Sequence, residues 1–287
     1  MTTRQTEGTE TDPGRSEDVR RAVRDRYAAA ATADTGCCAP SSCGCGDAAE
    51  LSSEDLGYSS DDLASLPEGA DLGLGCGNPT GLASLVAGEV VLDLGSGGGI
   101  DCFLASEKVG PDGQVIGVDM TPEMIARARA NARGGGYTNV DFRLGEIEAL
   151  PVADASVDAI LSNCVLNLSP ERSQVLHEAR RVLKPGGRMI ISDLISDVEA
   201  PASLQENLDA LSACLPVERD AYLGAFREAG FDVKIVEERG FPVETLLQND
   251  QVQQVLGTLP HEELAQLRAF GASIRSAVFE ARPIEDA

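Results

Sequence analysis

The chain has 287 residues, of which 47 are acidic and 23 basic, so its net charge is −24. This charge argues against nucleic acid as a partner, because phosphate binding requires a basic surface. No apolar run reaches the roughly eighteen residues of a membrane span, and the polar residues 1–12 do not resemble a signal peptide. We therefore expect a cytoplasmic protein that does not bind a membrane.

The N-terminal part of the chain lacks the periodicity of a folded core. Residues 1–17 predict a disordered tail, whereas apolar side chains three and four positions apart between Asp18 and Ala31 predict a helix. A loop rich in Gly, Ser and Cys follows at 35–47. Ser52 to Leu66 is expected to form a short helix or turn, and residues 73–79 form a second turn.

Strands and helices then alternate along the chain. Apolar runs predict strands at 89–94, 114–120, 140–144, 157–163 and 188–193, with two later strands at 232–237 and 276–281. Helices are expected at 101–109, from 121 onwards and at 171–183. The alternation predicts a doubly wound, parallel, seven-stranded α/β sheet that binds its ligand at the carboxyl ends of the strands. We expect 200–260 to form a cap over that site.

The first of these strands ends in a glycine-rich turn, Asp93 to Gly99, and Asp119 closes the next strand. Glycines there let the backbone approach a ligand closely. A dinucleotide site would need a sixth-position glycine where this chain has Ile100, so that class is excluded. The remaining pattern, D-x-G-x-G-x-G, resembles motif I of the class I methyltransferases, which bind S-adenosylmethionine and have a Rossmann-like fold.

That resemblance assigns a part of the cofactor to each strand end. A carboxylate after the second strand, Asp119, would hold the ribose diol. Glu146 and Ile147 would contact the adenine on one side and Met120 on the other. The amino-acid end would lie against the glycine-rich turn, and the sulfonium near Asn163. The expected cofactor-binding residues are thus Asp93, Gly95, Gly97, Gly99, Asp119, Met120, Glu146, Ile147 and Asn163.

Eight cysteines in a chain without a secretion signal do not indicate a disulfide framework. Soft metals or metalloids, redox chemistry and core packing all remain open for them. Cys102, on the helix after the glycine-rich turn, is expected to be a packed core thiol. Four cysteines cluster near the N-terminus, at 37, 38, 43 and 45. Their spacing lacks the paired C-x-x-C units of a zinc site, which favours a flexible thiol arm.

The segment from Leu74 to Asp193 resembles the arsenite methyltransferase family. The resemblance rests on Gly-Cys-Gly-Asn-Pro at 75–79, Gly-Val-Asp-Met-Thr at 117–121, Gly-Glu-Ile-Glu-Ala-Leu-Pro at 145–151, Ser-Asn-Cys-Val-Leu-Asn-Leu at 162–168 and Lys-Pro-Gly-Gly at 184–187. It implies that Cys76, Cys164 and Cys214 bind arsenic(III), and that Cys37 or Cys38 takes part in a disulfide relay. The chain departs from the family after Cys214, where the usual glycine-containing stretch is shorter and has no glycine.

The implied reaction is methyl transfer from S-adenosylmethionine to thiolate-bound arsenic(III), in arsenic detoxification. Arsenic(III) is thiophilic, and three thiolates leave its lone pair directed outward as the nucleophile. Only two histidines occur, which agrees with a reaction that needs no general base. The expected partners are arsenite or its thiol conjugates and a thiol reductant such as thioredoxin or a low-molecular-weight thiol.

Two other functions remain open. One is methylation of a small organic acceptor, as in quinone-type C-methyltransferases, and the other is metalloid binding without catalysis. The expected domains are an N-terminal segment at 1–50, a cofactor-binding core at 51–195 and an arsenic-binding cap region at 196–287 that completes the sheet. Since the chain has only three lysines, its acidic composition resembles that of proteins from salt-loving microbes, although an ordinary acidic protein is the alternative.

Overall fold

The computed structural model describes residues 13–32, 52–243 and 260–284. Its strands are β1 Val90–Leu94, β2 Gln114–Asp119, β3 Val140–Leu144, β4 Val157–Asn163, β5 Leu183–Ser196, β6 Val217–Glu218, β7 Phe231–Gly240 and β8 Ile274–Pro283. Its helices are α1 Pro13–Thr32, α2 Ser60–Ser65, α3 Pro79–Leu82, α4 Ile100–Val109, α5 Pro122–Gly135, α6 Arg172–Val182, α7 Ala202–Gln205, α8 Leu208–Ser212, α9 Arg219–Glu228 and α10 His261–Ser273. A short 3₁₀ helix follows β4 at Leu166–Leu168.

The strands form one sheet in the order β3-β2-β1-β4-β5-β8-β7, with β6 paired to the end of β5. Strands β1 to β5 pair in parallel, and β8 is antiparallel to both β5 and β7. All seven predicted strands are present and the doubly wound α/β fold is confirmed. The expectation that every strand is parallel is wrong for β8. Gly240 pairs with Arg275, so β8 starts at the edge where β7 ends and must run back across the sheet.

The central strands are apolar because both faces of the sheet are covered. Leu92 and Ile160 pack on one face, against α6 and α9. Val91 and Leu161 point to the other face, where Phe103 of α4 covers them. The polar exceptions lie at the carboxyl ends of these strands, and they mark the site.

Three predicted boundaries are corrected. Helix α1 begins at Pro13, so residues 13–17 are helical rather than part of a disordered tail, while 1–12 lie outside the described residues. Strand β5 begins at 183, earlier than the predicted 188. Of the predicted cap, α9 packs against the sheet through Tyr222 and Phe226, and β7 is a strand of the sheet. Its last part, 244–259, is not among the described residues.

Helices α7 and α8 are the part of the predicted cap that lies over the strand ends. Leu204 and Leu211 pack there with Val19 and Val23 of α1. Within the described residues, no helix combines the length and the apolar character needed to cross a membrane.

Candidate active site

The turn after β1 is built by its glycines. Gly95 has a φ of 69°, and a Cβ at this position would lie 2.4 Å from Cγ2 of Val165. The N–H groups of Gly95 and Ser96 donate to the carbonyl of Val118 at 2.8 and 3.0 Å, which ties the turn to the end of β2. A side chain at Gly97 would meet no protein atom within 4 Å, although Gly97 lines a cavity, so the cavity itself occupies that space.

Asp119, at the end of β2, is held in a fixed orientation. Its two carboxylate oxygens accept the backbone N–H groups of Gly97 at 3.0 Å and Thr121 at 2.8 Å. Burial raises the pKa of Asp119 above its ordinary value, and the two hydrogen bonds oppose that increase. The carboxylate faces the same cavity as the glycine-rich turn.

This cavity, the cofactor pocket, has a free volume of about 1060 Å³ including its open mouth. The predicted cofactor residues that line it are Asp93, Gly95, Gly97, Asp119, Met120, Ile147 and Asn163. Two predicted residues do not line it. Gly99 forms the N-cap of α4, and Glu146 turns to Arg24 of α1 at 3.3 Å. The neighbouring Glu148, which was not predicted, contributes to the wall.

Helix α1 forms a wall of the cofactor pocket that sequence reasoning missed. Arg20, Val23 and Tyr27 line the pocket. Arg20 bonds to Glu171 at 2.8 Å, beside the start of α6, and anchors the helix there. The spacing of Arg20 and Arg24 on one helical face was the available signal, but the sequence does not identify their partners. Burial raises the pKa of Tyr27 well above its usual value, and the charge of a nearby Cys214 thiolate would raise it further.

A buried hydrogen-bond network in the wall of the pocket centres on Asp101. Its carboxylate accepts the hydroxyls of Tyr58 at 3.0 Å and Thr80 at 2.6 Å and the side-chain amide of Asn163 at 3.2 Å. Burial raises the pKa of Asp101, and these donors counteract the increase. Burial and the charge of Asp101 also raise the pKa of the neighbouring Asp93 well above its usual range. Tyr58 and Thr80 were not predicted, because nothing local in the sequence joins them to α4.

Asn163 connects this network to the turn that carries Cys76. Its side-chain oxygen accepts the N–H of Cys76 at 2.9 Å, and its amide donates to the carbonyl of Gly77 at 2.8 Å. The flanking glycines are sterically required. A Cβ at Gly75 would lie 2.8 Å from the Asn163 amide nitrogen, and one at Gly77 would lie 2.1 Å from the Ser192 hydroxyl. The turn can therefore seat Cys76 against the sheet only without side chains on either side.

The three cysteines predicted to bind arsenic lie together in a buried cluster, which we call the thiol cluster. The sulfurs of Cys164 and Cys214 are 3.0 Å apart. The ligand atoms of Cys76, Cys164 and Asp193 all lie within 4.8 Å of one another. Cys102 does not belong to the cluster, because it is buried in α4 and donates to Asp93 at 3.2 Å. Cys37, Cys38, Cys43 and Cys45 lie outside the described residues.

The surroundings raise the pKa of two of these thiols, Cys164 and Cys214. Hydrogen bonds to Cys214 and Cys76, together with burial, raise the pKa of Cys164 well above its usual value. The hydrogen bond with Cys164 lowers the pKa of Cys214, but burial and the Asp193 carboxylate outweigh it and raise the pKa to about 12. Burial raises the pKa of Asp193 to about 6, although the Leu194 N–H, Arg172 and the Tyr222 hydroxyl oppose the increase. Sequence reasoning missed Asp193, which is a buried residue inside β5.

Cys164 and Cys214 both have a φ of 61°, in the left-handed region that non-glycine residues rarely adopt. Such a conformation costs on the order of 1–3 kcal/mol and persists only where the surroundings impose it. At Cys164 the backbone N–H donates to the carbonyl of Ser192 at 2.7 Å, which holds the residue at the end of β4. The left-handed turn leaves Cys164 both in the wall of the cofactor pocket and in contact with Cys214.

A doubly wound sheet with a glycine-rich turn after β1 and a carboxylate closing β2 defines the class I methyltransferase fold. A family model described as a methyltransferase domain matches residues 85–253. An arsenite methyltransferase from Halobacterium salinarum is 51% identical over 227 residues, which cover 75% of this chain and 58% of that protein. One from Aquipseudomonas alcaligenes is 39% identical over 67% of this chain and 55% of its own length.

A solved structure agrees with these relatives. The crystal structure of an arsenic(III) S-adenosylmethionine methyltransferase from Chlamydomonas reinhardtii has a TM-score of 0.61 and 31% identity, covering 79% of this chain and 71% of that one. The chain belongs to the arsenite methyltransferase family. It spans slightly more than half the length of the first two curated relatives that it matches.

Proposed function

We propose that this protein transfers a methyl group from S-adenosylmethionine to arsenic(III) held by its thiol cluster. The observation that carries the proposal is the position of Cys164. It lines the cofactor pocket and also contacts Cys214, so an atom bound to its sulfur would lie where the two sites meet. Methylation of a small organic acceptor would leave the three buried thiols without a role.

The residues of the cofactor pocket fit S-adenosylmethionine. Asp119 would accept both ribose hydroxyls, Met120 and Ile147 would pack against the adenine, and the open space beside Gly97 would admit the amino-acid end. When bound, S-adenosylmethionine supplies an electrophilic methyl group on a sulfonium. Val23 and Tyr27 of helix α1 would exclude water from the pocket, and the ion pair between Arg20 and Glu171 would hold the helix in place.

The thiol cluster would bind the arsenic substrate and direct its lone pair. Each thiol that replaces a hydroxyl of arsenite gives its proton to the departing hydroxyl, which leaves as water, so the raised pKa of Cys164 and Cys214 does not prevent binding. Three sulfur ligands make arsenic pyramidal and leave one direction open. The chain then needs no general base, because positioning supplies most of the catalysis.

The remaining assignments follow from this proposal. Residues 51–195 would form the cofactor-binding core, 196–287 would supply Cys214 and complete the sheet, and 1–50 would carry a relay thiol at Cys37 or Cys38. A thiol reductant, either thioredoxin or a low-molecular-weight thiol, would restore that relay, which implies a reducing compartment such as the cytoplasm.

The test is methylation of arsenite by the full chain with S-adenosylmethionine and a thiol, with the arsenic products separated and identified. We expect Cys164→Ser to abolish methylation and Cys102→Ser, a buried thiol outside the cluster, to retain it. X-ray absorption should find three sulfur neighbours of arsenic, falling by one in each single variant of Cys76, Cys164 and Cys214. The proposal fails if the wild type binds S-adenosylmethionine but methylates no arsenic, or if all three variants keep the full sulfur shell.

A further inference from the structure

A second groove lies next to the thiol cluster, between the start of α1, the N-terminus of α6 and the segment after Cys214. Leu168 lines both this groove and the cofactor pocket. Asn167, in the groove wall, donates its backbone N–H to Asp193 at 3.3 Å, and Asp193 accepts the thiol of Cys214 at 3.5 Å. Asn167 and Asp193 therefore connect the groove wall to the cluster.

Three buried polar atoms in this groove have no hydrogen-bond partner among the described residues. They are the hydroxyl of Ser16, the side-chain oxygen of Asn167 and Nε of Arg172. Ser16 is only 2% exposed and Asn167 only 8%. An unsatisfied buried polar atom costs about 1–3 kcal/mol, and native proteins keep few of them. Their occurrence along one groove indicates that a polar ligand completes them.

The charges of the groove favour a single negative group. Arg172 forms no ion pair within 4 Å among the described residues, in a chain whose net charge is −24. Its charge acts on the buried Asp193, and its guanidinium carbon lies 5.9 Å from the centre of the Tyr222 ring. The three carboxylates that line the groove have other partners: Glu171 pairs with Arg20, Glu218 accepts the N–H of Ala221, and Glu199 accepts Gln205. Arg172 is also the first residue of the eleven-residue α6, whose N-cap makes no side-chain hydrogen bond. The N-terminal N–H groups of a helix attract anions.

The donors and acceptors of the groove match an amino-acid group. The guanidinium of Arg172 and the hydroxyl of Ser16 can donate to a carboxylate, whereas the oxygen of Asn167 needs an N–H donor such as an ammonium or amide. An unprotonated phosphate oxygen, which can only accept, would not satisfy Asn167. We propose that the groove binds the amino-acid end of a low-molecular-weight thiol that carries arsenic to the cluster. This inference rests on the proposed function.

Such a carrier would load the cluster by thiol exchange. The bond between arsenic and the carrier sulfur breaks, a bond between arsenic and a protein sulfur forms, and the proton of the protein thiol leaves on the released carrier. Nothing is oxidised or reduced in this step. A carrier held in the groove brings its arsenic close to the cluster and lowers the arsenic concentration needed for loading, so the groove acts on KM rather than on kcat.

The first test measures binding without arsenic. S-methylglutathione has the carboxylates and amine of a thiol peptide but no thiol, so it cannot bind arsenic or form disulfides. By titration calorimetry of the full chain at fixed KCl, we expect Arg172→Gln to weaken its binding roughly tenfold, because a charge-assisted hydrogen bond is lost. Arg172→Lys should recover part of the affinity. Arg227→Gln removes the same charge from an exposed position on α9 outside the groove and should have no effect.

The second test compares arsenic sources. With glutathione as the only thiol, Arg172→Gln should raise the KM for arsenic about tenfold at unchanged kcat. With 2-mercaptoethanol, which has neither carboxylate nor amine, the KM should not change. An equal rise with both thiols overturns the inference, and so does equal binding of S-methylglutathione to wild type and Arg172→Gln. If the protein methylates no arsenic, the proposed function fails, and the calorimetric test still decides what the groove binds.

Discussion

Replacement of Asn163 by alanine should weaken arsenic(III) binding, although Asn163 itself is not expected to contact arsenic. Asn163 makes two hydrogen bonds to the backbone of the turn that carries Cys76, and two more to Tyr58 and Asp101. At about 1 kcal/mol for each, the two bonds to the turn contribute about 2 kcal/mol to its position. If arsenic binding must restore that position, the affinity should fall roughly 30-fold, since 1.4 kcal/mol corresponds to a factor of ten.

The assay is equilibrium dialysis of arsenite against the full chain, with arsenic measured on both sides of the membrane. The matched control is Asn139→Ala. Asn139 is also partly buried and hydrogen-bonded, to Ser106 and Gly110, but at the opposite end of the sheet. It should lower stability without changing arsenic affinity. Equal losses of affinity in both variants, or full affinity in Asn163→Ala, would refute the positioning role.

An isosteric variant separates the acceptor of Asn163 from its donors. Asn163→Asp keeps an oxygen for the N–H of Cys76 but places a carboxyl group against Asp101, where the amide donated at 3.2 Å. Only a protonated carboxyl can donate there, so arsenic affinity of this variant should increase as the pH falls. The wild type has no such group at position 163, and its arsenic affinity should lack this pH dependence.

Two further predictions concern the cofactor and the surface. Asp119→Ala should weaken S-adenosylmethionine binding by about 1.5–3 kcal/mol, since hydrogen bonds to a charged group are lost. Cys164→Ser should retain cofactor binding. If titration calorimetry finds the same affinity in Asp119→Ala as in the wild type, Asp119 does not belong to the cofactor site. The melting temperature should rise strongly with KCl, because the Debye length falls from about 30 Å at 0.01 M to about 3 Å at 1 M and screens the excess of 24 negative charges. A melting temperature that does not change between low and molar salt would contradict the reading of this chain as adapted to salt.

The sequence predicted those parts of the site that depend on local geometry. Glycines after β1 and an acid at the end of β2 follow from strand ends and chain spacing, and the structure places both Gly97 and Asp119 at the pocket. The sequence could not predict contacts between residues that are far apart in the chain. Glu146 follows β3 as expected, yet its carboxylate lies against Arg24, a residue 122 positions earlier in the chain.

The thiol cluster is a second case in which the sequence did not predict a contact between distant residues. Resemblance to a family suggested its three cysteines, but no pattern in the chain indicated Asp193 beside them. Asp193 ends the predicted strand 188–193, but nothing in the chain connected its carboxylate with the cysteines, and the structure buries it inside β5. The groove beside the cluster was equally hidden, because Ser16 and Arg172 are 156 residues apart in the chain and line the same groove only in the folded protein.

The left-handed backbone at Cys164 and Cys214 affects how such a site can be lost in evolution. Glycine adopts this conformation without strain, and the relief of on the order of 1–3 kcal/mol would offset the packing lost with one buried sulfur and its methylene. A cysteine-to-glycine change at either position would then leave a chain that folds, accumulates and melts like its parent. Purifying selection for stability would not remove it. A relative with glycine there would keep the fold intact while its chemistry drifted, and only assays of activity could tell the two apart.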